Sequence, residues 1–138
     1  MKKLLFVLSG FLIVGCTSSL DRYDGVDIAY CERTKAQFEL DKLKSYTCLN
    51  DYVAKYTKKS SGPDAIAEGA MYECGQEVRD FSNSKYEMTS CLVAKERGIS
   101  VLSFKRMIPY NEEMKRRNDI EGPKKYTLNQ VIKFQSGL

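Results

Sequence analysis

The residues best suited to chemistry in this chain are its five cysteines. Four of them form two equally spaced pairs, because Cys31 lies 17 residues before Cys48 and Cys74 lies 17 residues before Cys91. The fifth, Cys16, follows an apolar run near the start of the chain. In an oxidising compartment four such cysteines join as disulfides, and the odd thiol is left for another use.

The spacing of these cysteines argues against a metal or redox centre. Cysteine ligands of zinc usually stand two to four residues apart, and no two cysteines here are that close. Thioredoxin-type redox catalysis needs a Cys-x-x-Cys motif, which the sequence lacks. The sequence therefore predicts structural disulfides, with no metal and no cofactor.

Catalysis by other residue types has equally little support. The chain contains no histidine, which removes Ser-His-Asp and Cys-His nucleophile arrangements. Its 18 acidic residues are scattered, so no carboxylate pair of the kind used in glycoside hydrolysis stands out. We predict that the protein is not an enzyme, has no catalytic residue and takes no small-molecule substrate.

The first sixteen residues have the build of an export leader. Two lysines precede an apolar run at 4–14, which is shorter than the roughly 20 residues that cross a bilayer. The run ends in Ile13-Val14-Gly15-Cys16, which resembles the lipobox of bacterial lipoprotein precursors. The resemblance implies cleavage before Cys16, a diacylglyceryl group on its thiol and an acyl chain such as palmitate on its freed amine.

The same resemblance implies a location. In lipoproteins sorted as in enterobacteria, the residue after the lipidated cysteine selects the membrane, and Asp there retains the protein at the inner one. Thr17 stands at this position, which implies the outer membrane and a body facing the periplasm. The alternative is an ordinary secretory leader, with Cys16 as one more disulfide cysteine.

Charge and length set the remaining limits. Loss of the two leader lysines lowers the formal net charge from +4 to +2, which gives no basis for nucleic-acid binding. We expect one domain with a modest core. The predicted organisation is a cleaved leader at 1–15, a lipid-anchored tether at 16–25, a tandem helical-hairpin domain at 26–97 and a C-terminal extension at 98–138.

Apolar periodicity predicts an all-α fold: disulfide-stapled helical hairpins in a four-helix array or bundle, with a short additional C-terminal helix. The clearest stripe consists of Ile66, Ala70, Cys74, Val78 and Phe81. Pro63 suits the first position of a helix. Asp41 is the predicted N-cap after a first break, and Ser82-Asn83-Ser84 is the second break. The predicted helices cover 26–39, 42–58, 63–81 and 85–97.

An internal repeat supports the hairpins. A shift of 43 residues places the first cysteine pair on the second, Phe38 on Phe81 and Lys42 on Lys85. A period of this length is typical of helix-hairpin repeats.

Two disulfide pairings fit the sequence. The local pairing, Cys31–Cys48 with Cys74–Cys91, places one disulfide across each predicted turn, and the break at 82–84 favours it. The nested pairing, Cys31–Cys91 with Cys48–Cys74, is centred on the turn near Ser61 and would give one long antiparallel hairpin. Sequence alone leaves both open.

The C-terminal forty residues also have two interpretations. Basic residues at 115–117 and 124–125 could form a docking arm for phospholipid head groups or an acidic partner, with Phe134 as an anchor. Alternatively, the segment is a solvated loop followed by a last helix that begins after Thr127 and covers the core.

Three functions remain. The leading hypothesis is a lipid-anchored, non-enzymatic envelope protein that binds a protein partner as a scaffold or assembly accessory. The second is an inhibitor or exclusion lipoprotein that blocks an incoming enzyme, phage or plasmid, because a rigid surface loses little entropy on binding. The third is a carboxylate-dependent envelope hydrolase.

Overall fold

The computed structural model describes residues 22–58 and 62–137 and is built of helices. An isolated antiparallel bridge joins Arg22 to Ile99. The predicted all-α fold is confirmed, including the additional helix near the C-terminus. The elements are α1 Gly25–Tyr56, α2 Pro63–Glu73, α3 Gly75–Arg97, α4 Val101–Met107, α5 Glu112–Lys115, a π-helix Arg116–Glu121 and α6 Gly122–Ser136.

Helix α1 is one continuous helix of 32 residues where two were predicted. Asp24 caps its start by accepting hydrogen bonds from two backbone N–H groups. The predicted break at Asp41 is wrong, because this carboxylate lies buried in the middle of α1 and accepts a 2.7 Å hydrogen bond from Gln37 Nε2. No Gly or Pro stands between Asp24 and Tyr56 except at the helix start, so nothing in the backbone favours a break.

Helices α2 and α3 run back along α1. Pro63 occupies the first position of α2, as predicted. The interruption lies at Cys74, inside the predicted helix 63–81, while α3 continues through the predicted break at 82–84. Ser84 sits in that stretch and is buried; its hydroxyl donates a 3.0 Å hydrogen bond to the carbonyl three residues earlier. Ser84 is therefore a helix-packing residue here rather than a turn residue.

The disulfides follow the nested pairing. Cys31 is bonded to Cys91 and Cys48 to Cys74, with Cα–Cα distances of 5.6 Å and 5.9 Å. The local pairing that the sequence favoured is wrong. It required turns near 39–40 and 82–84, and both stretches are helical, so local partners 17 residues apart lie about 25 Å apart along a helix.

The internal repeat relates two facing helices of one hairpin. The 43-residue shift carries Cys31 onto Cys74 and Cys48 onto Cys91, and so exchanges the two disulfides. It also exchanges Phe38 of α1 with Phe81 of α3, whose rings contact each other with centroids 5.6 Å apart. Each repeat unit therefore contributes one helix to an antiparallel pair.

The buried apolar residues divide between two ends of this hairpin. The proximal end, where α1 begins and α3 ends, buries Cys91, Ala94, Val101 and Phe104. The distal end, where α1 ends and α2 begins, buries a larger set under α6: Leu49, Val53, Ile66, Ala70, Cys74, Val78 and Val131. Between the two ends the buried positions of α1 and α3 are small or polar, namely Asp41, Ser45 and Ser82.

Candidate binding cleft

One cluster joins three side chains that could move a proton. Tyr30 donates a hydrogen bond to Glu87, and Lys105 forms an ion pair with Glu87 and a 3.0 Å hydrogen bond to the Tyr30 hydroxyl. Burial lowers the pKa of Lys105, but its hydrogen bonds to Glu87 and Tyr30 outweigh burial and raise the pKa above 10.5. A lysine acting as a base or nucleophile needs a lowered pKa. The cluster is therefore a tie that fastens α4 to α1 and α3.

The cations predicted as a docking arm are largely paired within their own segment. Lys115 binds Glu112 at 2.7 Å, Arg116 binds Glu121 at 3.0 Å and Arg117 binds Glu113 at 2.9 Å. Lys124 reaches across to Glu68 of α2 at 3.0 Å. This segment is a folded, mixed-charge surface rather than a free basic arm.

Helix α6 covers the distal core, which agrees with the second interpretation of the extension. Val131 and Thr127 are fully buried. Thr127 is not the predicted N-cap, because α6 already begins at Gly122 and the Thr127 hydroxyl donates to the carbonyl of Pro123 at 2.9 Å. Phe134 is 53% exposed, so the predicted anchor residue lies on the outer face of α6.

A cleft runs along α3 where the π-helix crosses it. It consists of two hollows, of about 190 Å³ and about 360 Å³, which share Lys85, Arg117 and Asn118. We call this feature the central cleft. The smaller hollow has aromatic walls from Tyr46, Phe81 and Tyr126, and the larger has apolar walls from Phe104, Ile108 and Met114.

The segment that forms the outer wall of the central cleft is fixed to α3 by Tyr110. Its ring stacks on Tyr86 with centroids 4.9 Å apart, and its hydroxyl donates a 3.1 Å hydrogen bond to Asp119. Burial raises the pKa of the Tyr110 hydroxyl, and the neighbouring charge of Asp119 raises it further. The hydroxyl therefore stays protonated and holds the π-helix in place. π-Helical turns are rare and frequently mark functional sites.

The central cleft has the chemistry to bind an acidic side chain flanked by apolar ones. Lys85 is exposed and forms no ion pair among residues 22–58 and 62–137. Arg117 is paired with Glu113, but both are more than 60% exposed. Such a pair contributes about 0–1 kcal/mol, so Arg117 can exchange partners at little cost. Both hollows are at or below the small end of the range for drug-sized ligands, which favours protein side chains as occupants.

No pattern in the sequence predicts this cleft. Lys85 stands out in the sequence only as the repeat match of Lys42, and Asn118 and Tyr110 belong to no motif. The cleft forms where α1, α3 and the segment around the π-helix meet, and none of these segments carries a local motif for it. Arg117 was noted, as part of the basic run.

The remaining predicted site residues are the five cysteines, of which four lie within the described residues. Cys16, the predicted lipid-attachment residue, lies outside the described residues. The other four cysteines are all in disulfides. Across the described ranges no three His, Cys, Asp or Glu side chains come close enough to hold a metal ion.

The chain was compared with known protein families, curated proteins and solved structures. No protein-family model, no curated protein and no solved structure matches this chain. Among the helices that the structure describes, none combines the length and apolar character needed to cross a bilayer.

Proposed function

We propose that this protein is a lipid-anchored, non-enzymatic protein of the bacterial cell envelope that faces the periplasm and binds a protein partner. The observation that carries the proposal is the leader, in which a short apolar run ends in Ile13-Val14-Gly15-Cys16. The acyl chains would hold the protein on the membrane without a spanning helix, since each buried CH₂ contributes about 0.8 kcal/mol. Thr17 favours the outer membrane.

The disulfides support the anchor. They pair Cys31 with Cys91 and Cys48 with Cys74, so Cys16 has no counterpart among the other cysteines. An unmatched thiol at the end of an export leader is the position that lipid attachment uses. Disulfides of this kind also suit an oxidising compartment such as the periplasm.

The central cleft supports partner binding. Lys85 and Arg117 supply positive charge, and aromatic and aliphatic walls lie on both sides. The two disulfides and the Tyr110 contacts fix these walls before binding, which reduces the entropy lost on association. The partner that fits is a protein segment with an acidic residue between apolar ones.

Intact-mass analysis of the protein extracted from membranes tests the anchor. The expected mass is that of the chain from Cys16 onward plus diacylglyceryl and acyl groups. Cys16→Ala is the matched control and should appear without them and leave the membrane fraction. A native protein whose Cys16 is unmodified would contradict the proposed anchor.

Site-specific photocrosslinking in cells tests the binding site. A photoreactive residue replaces Asn118 in the central cleft or, as the control, Lys44 on the exposed side of α1. We expect one defined protein adduct from position 118 and none from position 44. Lys85→Glu should weaken that adduct by about tenfold, while Lys44→Glu should not. Equal adducts from both positions would reject the central cleft as the binding site.

A further inference from the structure

We propose that the proximal end of the bundle is a membrane-contact surface that seats on the anionic phospholipid bilayer holding the Cys16 lipid. The inference rests on the proposed lipid anchor and goes beyond it, because it fixes the orientation of the domain. An anchor alone would leave the body free to tumble at the end of its tether.

The first observation is an open apolar hollow beside the Cys31–Cys91 disulfide. It has a volume of about 350 Å³ and is walled mainly by Ile28, Met88 and Leu92. Ile28 is 49% exposed and Leu92 is 57% exposed. Single exposed apolar residues are normal on a protein surface, but several that converge on one concave site mark an interaction surface.

The start of α4 extends this apolar surface. The backbone N–H of Val101 donates a 3.2 Å hydrogen bond to Asp27 Oδ1, which holds the start of α4 against the first turn of α1. The neighbouring residues Val26 and Leu102 are 77% and 49% exposed. Four exposed aliphatic side chains therefore lie at the same end of the molecule.

Positive charge borders the hollow. Lys35 and Lys95 line it together with one acidic residue, Glu32. Both lysines are exposed, and neither forms an ion pair within the described part of the chain. Lysines beside exposed aliphatic side chains are typical of surfaces that insert shallowly among anionic phospholipids, where cations meet phosphates and apolar groups meet acyl chains.

The short tether favours the bilayer as the surface that contacts the apolar hollow. Arg22 forms a bridge with Ile99, and the N–H of Tyr23 donates a 3.4 Å hydrogen bond to the carbonyl of Gly98, so the chain leaves the body at this end. Six residues from Cys16 to Arg22 reach at most about 20 Å. The bilayer that holds the acyl chains is therefore always within about 20 Å of Arg22, and the next residue, Tyr23, lines the apolar hollow. A second copy or a partner protein must instead arrive by diffusion.

Seating at the proximal end would place the other end far from the lipid. Helix α1 has 32 residues and is about 48 Å long. The distal end would stand about that far from the bilayer, with the central cleft part of the way along. A partner in the periplasm could then reach the central cleft without touching the membrane.

Introduced tryptophan tests this orientation, because the chain has no tryptophan of its own. The mature lipidated protein with Leu92→Trp, or with Phe134→Trp as the distal control, is reconstituted in phosphatidylglycerol-containing vesicles with brominated acyl chains. Both positions are more than half exposed, so neither change disturbs the core. We expect the Leu92→Trp protein to lose about half of its emission, as for a group 5–10 Å into the interface, and the Phe134→Trp protein to lose almost none.

Charge variants give a second readout. Lys35→Glu with Lys95→Glu should abolish most of the quenching at position 92, while Lys44→Glu with Lys58→Glu, equal in net charge, should leave it unchanged. Quenching at neither position, or stronger quenching at position 134, would overturn the orientation even though the lipid still retains the protein. A native protein without acyl groups would instead overturn the proposed anchor, and its intact mass reveals this before reconstitution.

Discussion

The proximal and distal ends of the bundle each contain one disulfide, but the structure around the two disulfides differs. At the distal end Cys48–Cys74 lies among residues of α1, α2 and α3, and α6 packs over the same region through Tyr126 and Val131. At the proximal end Cys91 is covered by the seven-residue helix α4, and aliphatic side chains such as Val26 remain exposed.

This difference indicates how the molecule divides its roles. The distal end buries its apolar residues within the chain and is stable by packing. The proximal end relies more on its disulfide and on polar ties to α4 through Asp27, Tyr30 and Lys105. Because a disulfide holds the proximal end together, its exposed aliphatic side chains could contact another surface while the end stays folded.

Removal of the disulfides should give the largest effect and should rank the two ends. In the chain-entropy description, Cys31–Cys91 closes a loop of 60 residues and Cys48–Cys74 one of 26. Replacing each pair by serine should lower the free energy of unfolding by about 4 kcal/mol and about 3.5 kcal/mol, respectively. Urea denaturation measures both, and a larger loss from the shorter loop would contradict the entropic ranking.

Truncation of buried side chains should give the next largest effect and should distinguish the two ends by the helices that each variant loosens. Ile66→Ala at the distal end and Phe104→Ala at the proximal end each remove a buried side chain, at about 3 kcal/mol. Hydrogen exchange should show Ile66→Ala loosening α2 and α6 together, because these helices share one core. Phe104→Ala should expose amides of α4 while α1 and α3 stay protected. Uniform loosening by both variants would show that the ends are one cooperative unit.

The tie at Lys105 should give a smaller, pH-dependent effect. The pKa of Lys105 is raised in the folded state. The charged lysine therefore contributes its full share of folding stability below about pH 10.5, and this share is lost as the pH rises through the higher pKa of the folded protein. Lys105→Met should cost about 1 kcal/mol at neutral pH, as expected for a partly exposed pair, and should flatten the decline above pH 10.5. Parallel stability curves for the two proteins would contradict the prediction.

Tyr110, which lies between the two ends, should give the smallest effect on stability, about 0.5 kcal/mol for Tyr110→Phe. Its raised pKa is better measured by tyrosinate absorbance. The difference between the native protein and Tyr110→Phe should have a midpoint above that of a tyrosine amide, about 10. A midpoint at or below that value would mean that the Tyr110 contacts do not form.

The sequence predicted the all-α class, the helix start at Pro63 and a helix end at residue 97, because periodicity, proline and glycine act locally. Gly98 has a φ of +66°, a left-handed conformation that glycine adopts without strain. The predicted turn at Ser82-Asn83-Ser84 is wrong because Ser82 and Ser84 are buried against a facing helix, which a single segment does not reveal. The error in disulfide pairing followed from that misplaced turn.

Glu87 shows the same limit at a candidate site. It bonds Tyr30 and Lys105, residues far away in the chain, and no local pattern around Glu87 indicates these contacts. The central cleft has the same origin, since α3 and the π-helix meet only after folding. Contacts between distant segments, rather than local patterns, create both features.

The nested disulfides also determine how the chain would respond to tension. A pull between the N-terminus and α6 enters before α1 and passes at Cys31 directly to Cys91. Residues 32–90 are bypassed and cannot be drawn out while that bond is intact. The load would instead fall on α4 and on the packing of the C-terminal helices. The hairpin formed by α1, α2 and α3 would keep its length under tension.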